Sequence, residues 1–387
     1  MNAPFAQTGS IIPSGTAIRE PKRILLLAHA YQAPYRAMRC AAATGAKVFV
    51  FATSEARSLG VSRFCAGIHE FRFDPMPDLR KASAEIEGFI ATHGIDMVMP
   101  ADAVTTRFLA CIRPLLKTPV FPIPDLEAFD QLATKDRFMD FCRARDIRHP
   151  EGHLLANRAA LVAAIKNDAI RLPAILKPVN RWGGVGVIRI DKHNAEEIAA
   201  KIDYAPILVQ DYVEGVDRSI SVFCRGGVVS KQVTYCYPDA AFTFQGEPEL
   251  ARIVGGIVRG LKLDGVFNFD ARIEADGTVW LLECNPRFFF TMDAAMIAGA
   301  NFAKIEDGRD SDVRVSSRQP GPVVTVADGE LRQPEALLRH LLRGRAPNIR
   351  DWKMLIHWLK DPVYFGLAVA GYKRRWNANW LERLLTA

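Results

Sequence analysis

The chain has 387 residues, 49% hydrophobic and 24% charged, with a formal net charge of +7. That length exceeds one ordinary core and asks for about two or three packed units. The modest positive charge fits anionic ligands, while no RNP, zinc-finger or helix-turn-helix signature supports nucleic-acid binding.

Residues 1–21 carry Pro, Ser, Gly and Thr without a long apolar core, so they read as a flexible tail and not a signal peptide. Ile24-Leu25-Leu26-Leu27-Ala28 reads as a buried strand, residues 33–44 as a helix stopped by Gly45, and Lys47–Phe51 as a second strand. Glu70-Phe71-Arg72-Phe73 is strand-like, residues 79–93 look helical, and Asp96–Met99 forms another strand before the Pro-rich stretch at 120–124. Strands alternating with helices predict a parallel α/β unit over 22–125. Its first loop, His29–Gln32, lacks G-x-G-x-x-G, which argues against a dinucleotide site there. Asp102 and Arg107 follow the fourth strand, where a parallel sheet presents ligand-facing loops.

A second unit spans 126–213. A helix is expected to start near Thr134 as its cap, followed by a strand Ala174–Lys177. The loop Asn180-Arg181-Trp182-Gly183-Gly184-Val185-Gly186 leads into Val187–Ile190, and Ile207-Leu208-Val209 runs into Gln210-Asp211-Tyr212-Val213. A glycine loop beside a lysine can cradle phosphate through backbone N–H groups, though a plain Gly-rich hairpin fits as well and the spacing is not a Walker A loop. Residues 214–345 read mainly as strands, with helices near 248–261 and 334–343 and a strand at 323–326.

Within that third unit, residues 265–287 carry the strongest chemical signal. Alternating runs flank Asp276-Gly277, a hairpin turn pair. With those two residues as the turn centre, Asp270 lies opposite Glu283 and Asn268 opposite Asn285. Asp270, Glu283 and Asn285 then share one face. Phe267, Phe269, Ile273, Trp280, Leu282 and Cys284 point the other way. Two carboxylates, an amide oxygen and Arg287 make a hard-oxygen cluster suited to Mg2+ and phosphate. Arg272 shares the face of Asp270 and could hold substrate or pair with Glu274 or Glu283. Tyr235–Asp239 with Phe242 and Phe244 reads as an acceptor pocket or as a hairpin edge with buried aromatics.

The order of these features resembles the ATP-grasp superfamily, in its carboxylate–amine ligase and carbamoyl-phosphate-synthetase-like branch. The resemblance covers roughly residues 22–345, and Glu283-Cys284-Asn285-Pro286-Arg287 is its most specific piece. It implies a three-domain α/β architecture: an N-terminal parallel α/β domain, an ATP lobe and a catalytic α+β lobe. It further implies that Lys135 and Lys177 touch ATP phosphates, and that Trp182, Gly183, Gly184 and Gly186 belong to a loop closing over them. Gln210, Asp211, Tyr212 and Val213 would form the adenine hinge. Asp217 stands where the family has a glutamate on the ribose; it is one methylene shorter, and Glu214 is the neighbouring candidate. Asp270, Glu283 and Asn285 would hold Mg2+, with two ions expected and Mn2+ as a substitute, and Glu283 would bridge them. Arg287, with Lys177 and Arg272, would serve catalysis. The implied reaction is ADP-forming ligation of a small-molecule carboxylate to an amine. A small-molecule kinase without ligation and a non-catalytic ATP-binding regulatory protein are the alternatives.

The seven cysteines are scattered, with no C-x-x-C, which suits a reducing cytoplasm. The resemblance does not explain residues 346–387, which hold Trp352, Trp358, Trp376, Trp380 and Lys373-Arg374-Arg375. Over 351–387 this composition fits helices packed on the protein's own body or on a homodimer mate. It also fits a partner groove or peripheral contact with the inner face of a membrane.

Overall fold

The computed structural model describes residues 21–30, 32–73, 76–179, 181, 184–236, 243–305, 356 and 359–363. The expectations for residues 1–20, Asn180, Trp182, Gly183, 237–242, 323–326, 334–343 and most of 346–387 concern residues outside that set.

The first sheet is parallel. It contains β1 (Arg23–Ala28), followed by α1 (Gln32–Ala42), then β2 (Lys47–Ala52), β3 (Cys65–Glu70), α2 (Leu79–His93) and β4 (Met97–Pro100), with order β3-β2-β1-β4. The unbroken apolar run of β1 has a simple cause: both of its faces are covered. Ile24, Leu26 and Ala28 pack toward α1, while Leu25 and Leu27 join the core of α2 and the next helix, α3 (Ala103–Ile112). The strand expected at 70–73 instead spans Cys65–Glu70; Phe71 still donates its N–H to the Ala52 carbonyl, and Phe71 and Phe73 are buried by ring packing with Phe51 and Phe108. A 3-10 turn at Ser54–Val61 had no clear sequence signal.

Helices α4 (Leu126–Leu132) and α5 (Lys135–Ala144) come next. Helix α5 begins where expected, but Thr134 makes no capping hydrogen bond. A small antiparallel sheet follows, β5-β8-β6-β7, built from β5 (Gly152–Leu155), β6 (Ala174–Pro178), β7 (Ile188–Ile190) and β8 (Ile207–Asp211). Helices α6 (Arg158–Lys166) and α7 (Ala195–Lys201) share its core, which includes Leu161, Leu176, Ala199 and Ile207.

The third sheet is antiparallel, order β11-β10-β9-β12-β13, from β9 (Val216–Arg225), β10 (Val228–Cys236), β11 (Thr243–Phe244), β12 (Gly265–Ile273) and β13 (Val279–Asn285). Between β11 and β12 lies α8 (Pro248–Gly260), and after β13 comes α9 (Met292–Ile297), which the sequence reading did not anticipate. One face of this sheet packs on α8 and on Phe138, Phe141 and Cys142 of α5, so α5 shares a core with the third sheet. Another core joins α1 to α9 and to Phe288 and Phe289, tying the first unit to the third. Across that join the Arg36 guanidinium meets Asp293 at 2.6 Å, with both side chains out of contact with water.

The β12–β13 hairpin departs from its expected turn. Glu274 N–H bonds to Thr278 O, so the loop is Ala275-Asp276-Gly277, three residues long, with Gly277 at φ 88°. Near the turn the register is therefore shifted: Ile273 pairs with Val279, Arg272 with Trp280 and Ala271 with Leu281. A bulge at Leu282 then restores the expected pairs, Asp270 with Glu283 and Asn268 with Asn285. A bulge reverses side-chain alternation beyond it. Val279 and Leu281 are thus in the core with Cys284, whereas Trp280 and Leu282 face away from it, correcting the reading of those two residues.

Among the described residues no helix is long and apolar enough to cross a membrane. Asp361 is buried against the first unit, accepting from Tyr35 Oη at 3.0 Å, Ser62 Oγ and the Arg63 N–H.

Candidate active site

A cleft of about 630 Å³ lies between the small sheet and the third sheet. Ile175, Lys177, Gly184 and Val187 line it from one side, and Asp217, Asp270, Leu282 and Glu283 from the other. The bulge in β13 is what turns both Leu282 and Glu283 toward this space.

At the charged end, Lys177 projects from β6 and Lys135 from the first turn of α5. Both are buried, at 8% and 9% exposure. Lys135 Nζ donates to the Arg181 carbonyl at 2.8 Å and lies 3.4 Å from Glu283 Oε2, so it links the glycine loop to the carboxylate pair. Burial lowers the Lys177 ammonium to about 8, although the Glu283 charge opposes that shift. Burial also raises Asp270 to about 7, with repulsion from Glu283 adding to it. On Glu283 burial acts upward too, but Lys135, the bond from Asp270 and Lys177 outweigh it and hold that carboxyl below its usual range. Burial and the Glu283 charge thus push Asp270 toward its protonated form, while Lys135 and Lys177 favour the charged form of Glu283.

Asn285 donates from Nδ2 to Glu283 Oε1 at 3.2 Å, and its Oδ1 accepts from Arg287 at 2.9 Å. Burial lowers the Arg287 guanidinium, with Glu283, Asp102 and Asp270 pulling the other way. Among the described residues no group of three or more His, Cys, Asp and Glu side chains forms a cation site. The donor set is two carboxylates and an amide oxygen, all hard ligands, and a divalent cation would relieve the carboxylate repulsion that burial intensifies. These residues fit such an ion.

At the other end, Gln210 is buried, with Nε2 donating to the Pro150 carbonyl at 3.2 Å while its Oε1 has no partner. The chain approach is close here. Gly152 pairs with Gln210, and a Cβ on it would stand 2.3 Å from the Val209 carbonyl oxygen. Asp211 and Val213 line the cleft. Tyr212 lies between two guanidiniums, Arg189 at 4.2 Å and Arg272 at 5.5 Å. Gly184 and Gly186 have φ of 74° and 81°, and Tyr204 Oη donates to the Gly186 carbonyl. Glu214 is exposed.

Arg272 does not pair with Glu274 or Glu283. Its Nη2 meets Asp217 Oδ1 at 2.7 Å and its Nη1 donates to the Val213 carbonyl at 3.0 Å, so it braces the hinge strand beside the cleft. The reason is the register: Arg272 lies opposite Asp217 across β12–β9. Glu274 instead accepts from Trp280 Nε1. Asp102 and Arg107 are likewise engaged. Asp102 accepts the His29 and Ala30 N–H groups and caps α3 through Thr105, and Arg107 is bound to Asp130 at 2.7 Å. Tyr235 pairs with Phe244 at a hairpin edge, and burial lifts its phenol to about 12.

Three polar residues at this site, Ser219, Ser221 and Asn268, had no functional reading in the sequence. Tyr235, Ser219, Asp270 and Glu283 lie in one row across β10, β9, β12 and β13. Ser221, Asn268 and Asn285 form the next row. Ser219 Oγ donates to Asp270 Oδ1 at 2.6 Å, and Asn268 Nδ2 donates to the same oxygen at 3.1 Å. The two-residue spacings Asn268–Asp270 and Ser219–Ser221 were the only available signal.

Comparison with known proteins places these observations in a family context. A family model described as "ATP-grasp in the biosynthetic pathway with Ter operon" matches residues 203–327. The arginine-specific large chain of carbamoyl phosphate synthase from Halalkalibacterium halodurans is 25% identical over 182 residues, which are 42% of this chain and 17% of that protein. The chain therefore matches only a small part of that relative's length. Among solved structures, an L-amino acid ligase from Bacillus licheniformis superposes with a TM-score of 0.56 at 19% identity, covering 73% of this chain and 72% of that one. An ADP complex of N5-carboxyaminoimidazole ribonucleotide synthetase gives 0.57 at 15% identity, covering 84% and 86%. The biotin carboxylase domain of Hydrogenobacter thermophilus 2-oxoglutarate carboxylase, in complex with MgADP and bicarbonate, gives 0.55 at 15% identity, covering 78% and 72%.

Proposed function

We propose, from the premise that this chain is an ATP-grasp protein, that it activates a small-molecule carboxylate with ATP and joins it to an amine, releasing ADP and phosphate. The observation that carries this reading is the convergence of Lys135, Lys177, Asp270, Glu283, Asn285 and Arg287 at one end of a cleft, with an unpaired amide oxygen on Gln210 near its other end. Adenine offers an exocyclic amine donor for that oxygen, and the backbone around Asp211 and Val213 offers the remaining edge contacts. Asp217, or Glu214 beside it, would take the ribose hydroxyls. Lys135 and Lys177 would meet the phosphates from the two walls.

Asp270, Glu283 and Asn285 would hold Mg2+. Bound there, the ion would neutralise charge on the phosphoryl group being transferred. The remaining work falls to the chain's own residues. A carboxylate is a poor acyl donor because its leaving group would be oxide. Its attack on the terminal phosphorus of ATP forms a carboxyl–phosphate bond and breaks the bond to ADP. Arg287, half-buried and bonded to Asn285 beside the carboxylate pair, offers a fixed cation to the anionic groups that must meet. Attack by the amine on the acyl carbon then expels phosphate and leaves the amide after loss of a proton.

The test is ADP release over a panel of carboxylates and amines with Mg2+, with hydroxylamine added to trap an acyl phosphate as its hydroxamate. A ligase yields hydroxamate and, with the true amine, an amide. A stable phosphorylated product would assign a kinase instead. Absence of nucleotide turnover across the panel would favour a regulatory ATP-binding protein. Glu283→Gln should abolish ADP formation with the fold retained, and full activity in that variant would remove the metal assignment.

A further inference from the structure

The polar rows of the third sheet determine how much of Asp270 faces the cleft. Asn268 Nδ2 donates to Asp270 Oδ1, an oxygen that also accepts from Ser219. The Asn268 Oδ1 then points away, and there it receives two donors, Ser221 Oγ at 2.8 Å and Tyr235 Oη at 2.9 Å. Both lone pairs of the amide oxygen are used, and the amide is held in one orientation. Ser219 adds the second donor to Asp270 Oδ1. Asn268, Ser221 and Tyr235 are 5%, 0% and 8% exposed, so water does not compete for these bonds. A sheet gains no stability from burying an amide and two hydroxyls where apolar side chains would pack, which points to a role in the site.

We propose that Asn268, together with Ser219, is a positioning residue that occupies Asp270 Oδ1, leaves one oxygen for a cation, and thereby tunes the site to a small ion such as Mg2+ over Ca2+. This rests on the reading of Asp270 and Glu283 as cation ligands. Ca2+ takes about six to eight oxygens and often a bidentate carboxylate, whereas Mg2+ takes about six, several of them water. On Glu283, Oε1 accepts from Asn285 and Oε2 faces Lys135, so neither carboxylate has two idle oxygens.

The test uses Mn2+, read by the loss of its free-ion electron paramagnetic resonance signal on binding to the full chain with ADP. Mg2+ and Ca2+ then displace it. The unaltered protein should prefer Mg2+. In Ser219→Ala with Asn268→Ala, the preference should move toward Ca2+ by about fivefold or more, with smaller moves in each single variant. Tyr235→Phe, which removes only a hydroxyl, should move it the same way by about twofold. A merely structural role would weaken both ions alike and leave the ratio unchanged. An unchanged ratio in the Ser219→Ala and Tyr235→Phe proteins, with native melting behaviour, overturns the proposal. Failure of the unaltered protein to bind Mn2+ with ADP removes the cation-site reading itself, and the proposal with it.

Discussion

Replacing Asp270 by Asn should make the metal-free protein more stable while ending its turnover. Burial and the Glu283 charge carry the Asp270 carboxyl from 3.8 to about 7. The folded state therefore holds this proton more tightly than the unfolded state, so stability falls as pH rises between those two values. Below 3.8 the penalty is absent, and above about 7 it is complete. By linkage it amounts to roughly 4 kcal/mol at most, and the half-open position of Asp270 on the cleft brings it to about 2 kcal/mol. An Asn side chain keeps an acceptor for Ser219 and Asn268 and gains a donor for Glu283, so no new buried group is orphaned. At roughly 2–4 °C per kcal/mol for chains of 150–250 residues, and somewhat less here, the melting temperature should rise by about 3–6 °C. The assay is differential scanning fluorimetry in EDTA at pH 8 and pH 5. The gain should appear at pH 8 and shrink sharply at pH 5, where the native carboxyl is already protonated. Added Mg2+ with ADP should stabilise the unaltered protein and not the Asp270→Asn protein. Equal melting at pH 8, or a gain of the same size at pH 5, would refute the charge argument.

Asp293→Asn leaves Arg36 buried opposite a neutral group, and should cost about 3–5 kcal/mol in urea unfolding and loosen the α1–α9 join. The measurable sign is a lower urea midpoint, with near-native stability as the contrary result. Gly152→Ala places a Cβ 2.3 Å from a backbone carbonyl next to Gln210. It should raise the KM for ATP several-fold and destabilise by about 1–3 kcal/mol, checked by nucleotide titration and thermal melting. Cys40, Cys142, Cys224 and Cys284 are buried, and burial lifts their thiols, that of Cys142 to about 12. In native protein these four should resist a maleimide at pH 7 while the partly exposed Cys65, Cys111 and Cys236 react, and all seven should react in guanidinium.

The hairpin at 265–287 shows how sequence and structure divided the work. Its pairing of Asp270 with Glu283 was legible from alternation and a turn signal. It holds in the structure through two changes that cancel: a three-residue loop shifts the register, and a bulge at Leu282 shifts it back. Periodicity cannot reveal a cancelling pair, because each half of the strand still alternates cleanly. The orientation of Trp280 and Leu282 was misjudged for that reason. The helix start before Lys135 was visible, yet the contact of that lysine with Glu283 depends on α5 packing against the third sheet.

By itself the sequence determined the alternation of strands and helices in the first unit, the lysines and glycine loop of the second, and the carboxylate pair of the third. These follow from local chemistry: apolar period, turn residues, and charges too costly to cluster without a counterion. The tertiary structure alone decided that Arg272 braces Asp217, that Asp102 ties loops together, and that Asn268 is aimed at Asp270 by Ser221 and Tyr235. Those partners are distant in the chain. They meet only through cross-strand register and through hydrogen-bond directions that residue spacing does not encode.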